Sequence, residues 1–193
     1  MAILKVARMG HPVLRAKARM VEPAEIVSPQ FQRLIDDMFE TMREYAGIGL
    51  AAPQIHEGVR LFVAGLRPSK VTGAMSDDNE MPFIALINPV ITPVLVPGAT
   101  ASATDEDWEG CLSIPDIRGL VTRPKSISVK AFNRLGKKIE LQASGLPARV
   151  IQHETDHLDG VLFFDRMTSF ESLTFLDEYS RFWRKNDDDQ DED

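Results

Sequence analysis

The sequence predicts one domain that mixes α-helices with β-strands, and three observations carry that expectation. Apolar residues recur at helical spacing after Ser28-Pro29. Two strand-like runs, 126–133 and 138–143, are joined by Arg134-Leu135-Gly136-Lys137. Gln152-His153-Glu154-Thr155-Asp156-His157 then sets two histidines one helical turn apart, in a segment bounded by Pro147 and Gly160. At 193 residues the chain is long enough for one substantial core and short for two. The domain is expected to span 1–185. The last positions, 186–193, are expected to be a solvated, disordered tail, because Asp187, Asp188, Asp189, Asp191, Glu192 and Asp193 crowd them.

Composition removes several classes of function. Hydrophobic residues at 44% and charged residues at 26% suit a globular protein. A net charge of −7 argues against nucleic-acid binding, which needs a positive surface. The most apolar window, Met81 to Pro97, is cut by Pro82, Asn88, Pro89 and Pro93, so no membrane span is expected. The single cysteine, Cys111, excludes an intramolecular disulfide and fits a reducing compartment. Lys5, Arg8, Arg15, Lys17 and Arg19 give the start a basic bias. No serine accompanies them, Gly10-His11-Pro12 interrupts any long helix, and no apolar signal region follows. The expected location is cytoplasmic.

Taken in order, residues 1–27 read as an irregular arm punctuated by Pro12 and Pro23, with His11 as a turn residue. Ser28 caps a helix with Pro29 in its first turn; Phe31, Leu34, Ile35, Met38 and Met42 form its apolar stripe, and Gly47 stops it. Gly47-Ile48-Gly49-Leu50-Ala51-Ala52-Pro53-Gln54 is small enough for another backbone to approach closely, and it lacks the phosphate-loop pattern. Val59–Leu66 and Phe83–Ile87 read as strands separated by a polar loop insertion over 67–82. Prolines 89, 93 and 97 confine the chain after Ile87 to edges and bends, and Gly98–Asp107 reads as a flexible loop. After the 126–143 hairpin, Pro147 opens the motif helix. Leu146, Val150, His153 and His157 share one face of it, and Ile151 and Leu158 lie on another. Val161–Phe164 reads as a short strand. Ser169 caps a last helix with Phe170, Leu173, Leu176 and Phe182 inward.

The chemistry begins with His153 and His157, which can offer two imidazole nitrogens to one metal while Glu154 reaches a water on it. The pair needs a third ligand. Cys111, in Asp107-Trp108-Glu109-Gly110-Cys111-Leu112-Ser113-Ile114-Pro115, is the only thiolate the chain can provide, although a lone cysteine can also be a small core residue. Three protein ligands leave a position for water, whose pKa the metal lowers. Glu154 can move the proton and Gln54 can donate to a developing oxyanion, an assembly suited to hydrolysis of an amide or a related carbonyl group.

The chain resembles the peptide deformylases, bacterial type. The resemblance rests on three motifs in order: Gly47 to Gln54, Glu109-Gly110-Cys111-Leu112-Ser113, and Gln152 to His157. It covers the arm to about Phe164 and implies an α+β fold. In that fold, antiparallel β-sheets surround a central metal-binding helix, with an N-terminal-half helix and a C-terminal helix packed outside. It further implies Cys111, His153 and His157 as metal ligands and Glu154 as catalytic acid/base. The Gln54 side chain and the Leu112 backbone N–H would bind the formyl oxygen. Ile48, Leu146, Val150 and the His153 ring would line a methionine pocket, with Glu109 and Arg118 nearby, and Gly49 and Gly110 would pair with the peptide backbone. The implied cofactor is one divalent metal ion, Fe²⁺ in the cell, with Zn²⁺, Ni²⁺ or Co²⁺ able to substitute. The implied partners are N-formyl-Met nascent peptides, with a transient ribosome contact. Arg149 departs from the pattern, because many bacterial members carry an aliphatic residue there.

Two other readings are open to these residues. A zinc endopeptidase would take a third ligand downstream, and Glu178 is the available one. A closed, non-catalytic metal module would need a fourth ligand, and His56 is the spare candidate.

Overall fold

Ser28 starts the first long helix through its side chain: its Oγ accepts the Phe31 N–H at 3.3 Å, and Pro29 stands where no N–H is needed. The computed structural model describes residues 2–66, 81–95 and 101–184. The arm contains a 3₁₀ turn at Pro12–Arg15 and a short helix, α1, at Pro23–Ile26. The long helix, α2, spans Pro29–Glu44 and buries Phe31, Ile35, Met38 and Met42, the expected stripe. It ends before Gly47: Ala46 (φ 52) takes the left-handed conformation, and the Gly47 N–H then returns to the Met42 carbonyl.

The strands among the described residues form two antiparallel sheets. The larger, ordered β1-β2-β3-β6-β7, combines β1 (Gly49–Ala51), β2 (Leu61–Leu66), β3 (Met81–Pro93), β6 (Ser126–Phe132) and β7 (Lys138–Ser144). The smaller combines β4 (Thr104–Cys111), β5 (Ile114–Pro124) and β8 (Thr174–Phe175). Leu61, Val63, Ala85 and Ile87 face α2, while Phe62, Ala64 and Leu86 face the opposite core. Burial on both faces explains why β2 is a nearly continuous apolar run.

In that second core lies α3 (Gly145–Leu158), which touches β1, β2, β3, β6 and β7 of the larger sheet and β5 of the smaller. It begins at Gly145, so Pro147 falls in its first turn without losing a hydrogen bond. It is not two-faced: every residue from Ala148 to Leu158 is buried. The Arg60 guanidinium donates to the Leu158 carbonyl (3.3 Å) and to Asp159 (2.6 Å), satisfying the helix end. The arm is fastened to the same end by the Ala18 N–H on the Leu158 carbonyl at 2.9 Å.

Four expectations about local structure fail for identifiable reasons. β3 runs through Pro89 and Pro93 rather than ending at Ile87. A register shift between Ile87 and Val90 and a positive φ at Asn88 (52°) absorb Pro89. Asn88 also exchanges two hydrogen bonds with the Val21 backbone, at 2.9 and 2.8 Å. β4 occupies much of the expected Gly98–Asp107 loop, because its outer half pairs with the β5 backbone while its side chains stay exposed. Phe163–Arg166 is a 3₁₀ turn rather than part of a strand, held by Asp165 Oδ2 accepting the Leu162 N–H at 2.7 Å. The last helix, α4, is Leu176–Phe182, not a helix capped by Ser169. Phe170 and Phe182 are both 65% exposed, and Thr174–Phe175 instead pair with β5. Most of the expected 67–82 loop and the acidic tail 186–193 lie outside the described residues; Met81 and Pro82 already belong to β3.

Candidate metal centre

Two elements meet to build the site. His153 and His157 project from successive turns of α3, with ring centroids 4.9 Å apart. Cys111 arrives from the end of β4, where the strand turns tightly through Leu112 and Ser113 into β5, and its Sγ lies 3.2 Å from His157 Nε2. Ligand atoms of Cys111, His153 and His157 all lie within 4.8 Å of one another, and all three residues are buried. Burial alone would push the Cys111 thiol up, but the facing His157 and His153 outweigh it and bring it well below its ordinary range. Burial alone would lower His153, but Cys111 and Glu109 outweigh that and hold it well above its ordinary value. A soft thiolate beside two imidazoles, out of water, is a donor set for a divalent transition metal.

Glu109 orients the site. The His153 Nδ1–H donates to its Oε2 at 2.9 Å, which leaves Nε2 as the donor atom of that ring. Arg123 grips the same carboxylate at 2.6 and 3.0 Å, and Arg149 adds a third contact at 2.8 Å. Arg123 also reaches Asp156 at 2.9 Å, and Arg166 pairs with Asp156 from the surface at 2.6 Å. Burial would raise the Glu109 carboxyl, yet His153 and Arg123 hold it far below the usual range. Glu109, expected near the substrate, lines the cavity, and its carboxylate is held by His153 and the two arginines. Arg149 is the position that departs from the family pattern. It turns inward, 7% exposed, and also donates to the Asp105 and Val121 carbonyls at 3.0 and 2.8 Å.

Glu154 follows His153 on α3, with Oε2 buried and without a hydrogen-bond partner among the described residues; His157 Nδ1 is in the same state. Burial lifts the Glu154 carboxyl to about 7, against the pull of His153 and His157 and with the push of Cys111 and Glu109. Its carboxylate lies on Gly49, where any β-carbon would overlap it. The glycine-rich turn thus admits a carboxylate as a close neighbour, besides the β2 backbone that pairs with Gly49–Ala51. Gln54 spends its carbonyl on the Ala51 N–H at 2.7 Å, which turns its amide nitrogen toward Cys111 Sγ (3.5 Å) and Ser113 Oγ (3.2 Å).

A cavity of about 560 Å³ opens over this group, and every expected site residue except the deeply buried His157 lines it. The rival ligands are elsewhere: Glu178 is exposed on α4, and exposed His56 packs edge-on against His11 at 4.7 Å. Sequence reasoning missed Ser113, Arg123, Asp156 and Arg166. Arg123 had a visible signal, because it comes after Gly119 and Val121 in the alternating inward register of β5.

The chain matches the family model described as polypeptide deformylase over residues 3–172. It is 43% identical over 176 residues to peptide deformylase 2 of Pseudomonas syringae pv. tomato, covering 91% of this chain and 93% of that one. It is 39% identical over 184 residues to peptide deformylase 2 of Nostoc sp., covering 95% and 97%. Among solved structures, a Met-Ala-Ser-bound class I type b peptide deformylase from Acinetobacter baumannii superposes with a TM-score of 0.75 at 36% identity, covering 86% of this chain and 99% of that one. Peptide deformylase from Thermotoga maritima gives 0.72 at 36%, covering 88% and 100%.

Proposed function

The chain belongs to the polypeptide deformylase family, metal-dependent hydrolases that remove the N-formyl group from nascent peptides, and from that premise we propose how its own residues do so. Cys111, His153 and His157 hold the metal, Fe²⁺ in the cell, with Zn²⁺, Ni²⁺ or Co²⁺ as substitutes; their clustering supports this. The bound metal supplies Lewis-acid polarisation and acidifies water. Glu154 takes a proton from the attacking water and returns it to the departing amine. A carboxyl lifted to about 7 is suited to both transfers. The Gln54 amide and the Leu112 N–H receive the developing oxyanion. Ile48, Leu146 and Val150 form the methionine pocket, the peptide backbone lies along Gly49 and Gly110, and Arg118 stands at the exit. Residues 1–185 are the catalytic domain around α3, acting in the cytoplasm on nascent chains in transient contact with the ribosome. Among the described residues no helix is long and apolar enough to cross a membrane.

The single observation that carries the residue assignment is the unpartnered, buried Glu154 carboxylate beside the three-ligand cluster. Protein loaded anaerobically with Fe²⁺, or with Ni²⁺, is expected to release formate from a formyl-Met peptide. Glu154→Ala is expected to retain metal and lose about 10²-fold or more of the rate. Equal turnover by Glu154→Ala sinks the assignment.

A further inference from the structure

The start of the arm belongs to no helix or strand, yet two of its backbone N–H groups are spent on the loops beside the metal centre. The Ala7 N–H donates to the Gln54 carbonyl at 2.7 Å, and the Met9 N–H donates to the Ser113 carbonyl at 2.8 Å. Gln54 sits on the 3₁₀ turn Ala52–Ile55, and Ser113 follows Leu112 in the turn between β4 and β5. Those two segments also meet directly, because the Gln54 amide nitrogen donates to Ser113 Oγ at 3.2 Å. Together these bonds close a ring that runs from the arm to Gln54, across to Ser113 and back to the arm. Gln54 and Ser113 are 1% and 0% exposed, so the ring is sealed from solvent. Successive arm side chains enter different cores: Val6 packs with Leu50, Ala52 and Ile55, while Ala7 packs with Cys111 and Ile114. Arg8, between the two tethers, lines the metal-site cavity.

We propose that Ala7 and Met9 are positioning residues, whose N–H groups clasp the two loops and so fix the spacing of the oxyanion donors, the Gln54 amide and the Leu112 N–H. The proposal rests on the deformylase reading. A glutamine amide carries two N–H donors. The one on Ser113 keeps the Gln54 amide aimed; the other meets Cys111 Sγ at 3.5 Å, a bond that a substrate oxygen can replace. Two donors that converge on one oxygen tolerate little drift, and a misplacement of about 1 Å can cost about 10²-fold in rate. The arm holds that convergence from behind the site. Its tethers run from backbone to backbone, so no side-chain rotation releases them.

The test replaces single backbone amides by esters, using the matching α-hydroxy acid, which removes one N–H and leaves every side chain in place. Esters are placed at Ala7, at Met9 and, as the control, at Leu4, whose N–H donates to Thr41 Oγ1 on α2 at 2.9 Å. Formate release from formyl-Met-Ala-Ser by the full-length, Ni²⁺-loaded chain is measured together with metal content. The Ala7 and Met9 esters are expected to lose at least about tenfold in kcat with KM within about twofold of wild type, because these donors act on the transition state. The Leu4 ester, tied to α2 rather than to a site loop, should keep kcat within about twofold. A second readout separates positioning from general loosening. In the Gln54→Ala background the Ala7 ester should cost little more, because the group it aims is gone. Wild-type kcat in the Ala7 and Met9 esters, an equal fall in the Leu4 ester, a fall that follows metal loss, or a full Ala7 penalty retained in Gln54→Ala overturns the clasp and leaves the deformylase reading intact. A wild type that releases no formate overturns that reading and the clasp with it.

Discussion

The Gln54 carbonyl is committed to the Ala51 N–H, so the direction of its amide nitrogen is set before any substrate arrives. Gln54→Ala is expected to lower kcat by about 10²–10³-fold, the cost of one oxyanion donor (about 2.7–4 kcal/mol), without releasing metal. Steady-state kinetics with metal analysis on one sample check it, and a fall explained by metal loss contradicts it. Gly49 is constrained from the other side of the cavity. The Glu154 carboxylate occupies the space a β-carbon needs, so Gly49→Ala displaces the carboxylate proposed to move the proton. Its formate release should fall by at least about tenfold while Cys111, His153 and His157 keep their metal, because the catalytic carboxylate is out of place. Wild-type turnover by Gly49→Ala would show that Glu154 can act from a second position.

At the scale of elements, the buried ions join β4, β5 and α3. Arg123 on β5 holds Glu109 on β4 and Asp156 on α3, with the Arg123 and Glu109 side chains only 5% and 4% exposed. Removing one partner of a buried pair strands the other without solvent, so Arg123→Ala should cost about 3–5 kcal/mol in urea unfolding of the metal-free protein. The surface pair of Lys130 with Glu140, at 3.9 Å and with side chains 70% and 64% exposed, is the control: Lys130→Ala should change stability by less than about 1 kcal/mol. Similar losses in the two variants would mean that the Arg123 cluster is not an uncompensated buried charge when broken. Arg149 belongs to the same cluster, and its contacts with Asp105 and Val121 stitch the outer part of β4 to β5 and α3.

Across the whole molecule, the residues proposed as metal ligands come from the smaller sheet and from the helix packed on the larger one, so a bound ion would tie the two halves together. Metal at about a hundredfold excess over its dissociation constant should add about 2.7 kcal/mol. In a chain of this size that raises Tm by roughly 5–10 °C. Chelation should remove the increment, and Cys111→Ala should show none at the same metal concentration. Thermal unfolding with and without chelator decides it. A Cys111→Ala protein that still gains the full shift would return the third ligand to a residue such as Glu178.

Much of this was already visible in residue order. The α2 stripe, the β6–β7 hairpin, the two-histidine helix and the three deformylase motifs are local patterns, and spacing alone fixes which side chains share a face. Contacts between distant segments were not visible. β4 is a strand because β5 supplies its backbone partners, and its polar outer residues carry no period that says so. α4 begins at Leu176 because β8 is drawn onto β5, overriding the cap-like Ser169. Arg149 reads in the sequence only as a departure from the family pattern, and it is the fold that closes Glu109 and two carbonyls around it. The sequence by itself determined which side chains the chain can offer to a metal and a proton: the Cys111 thiol, the His153 and His157 imidazoles and the Glu154 carboxyl. Tertiary structure alone decided the Glu109–Arg123–Asp156 support and the burial of Arg149 against it, because burial and charge pairing join residues whose separation in the chain carries no period.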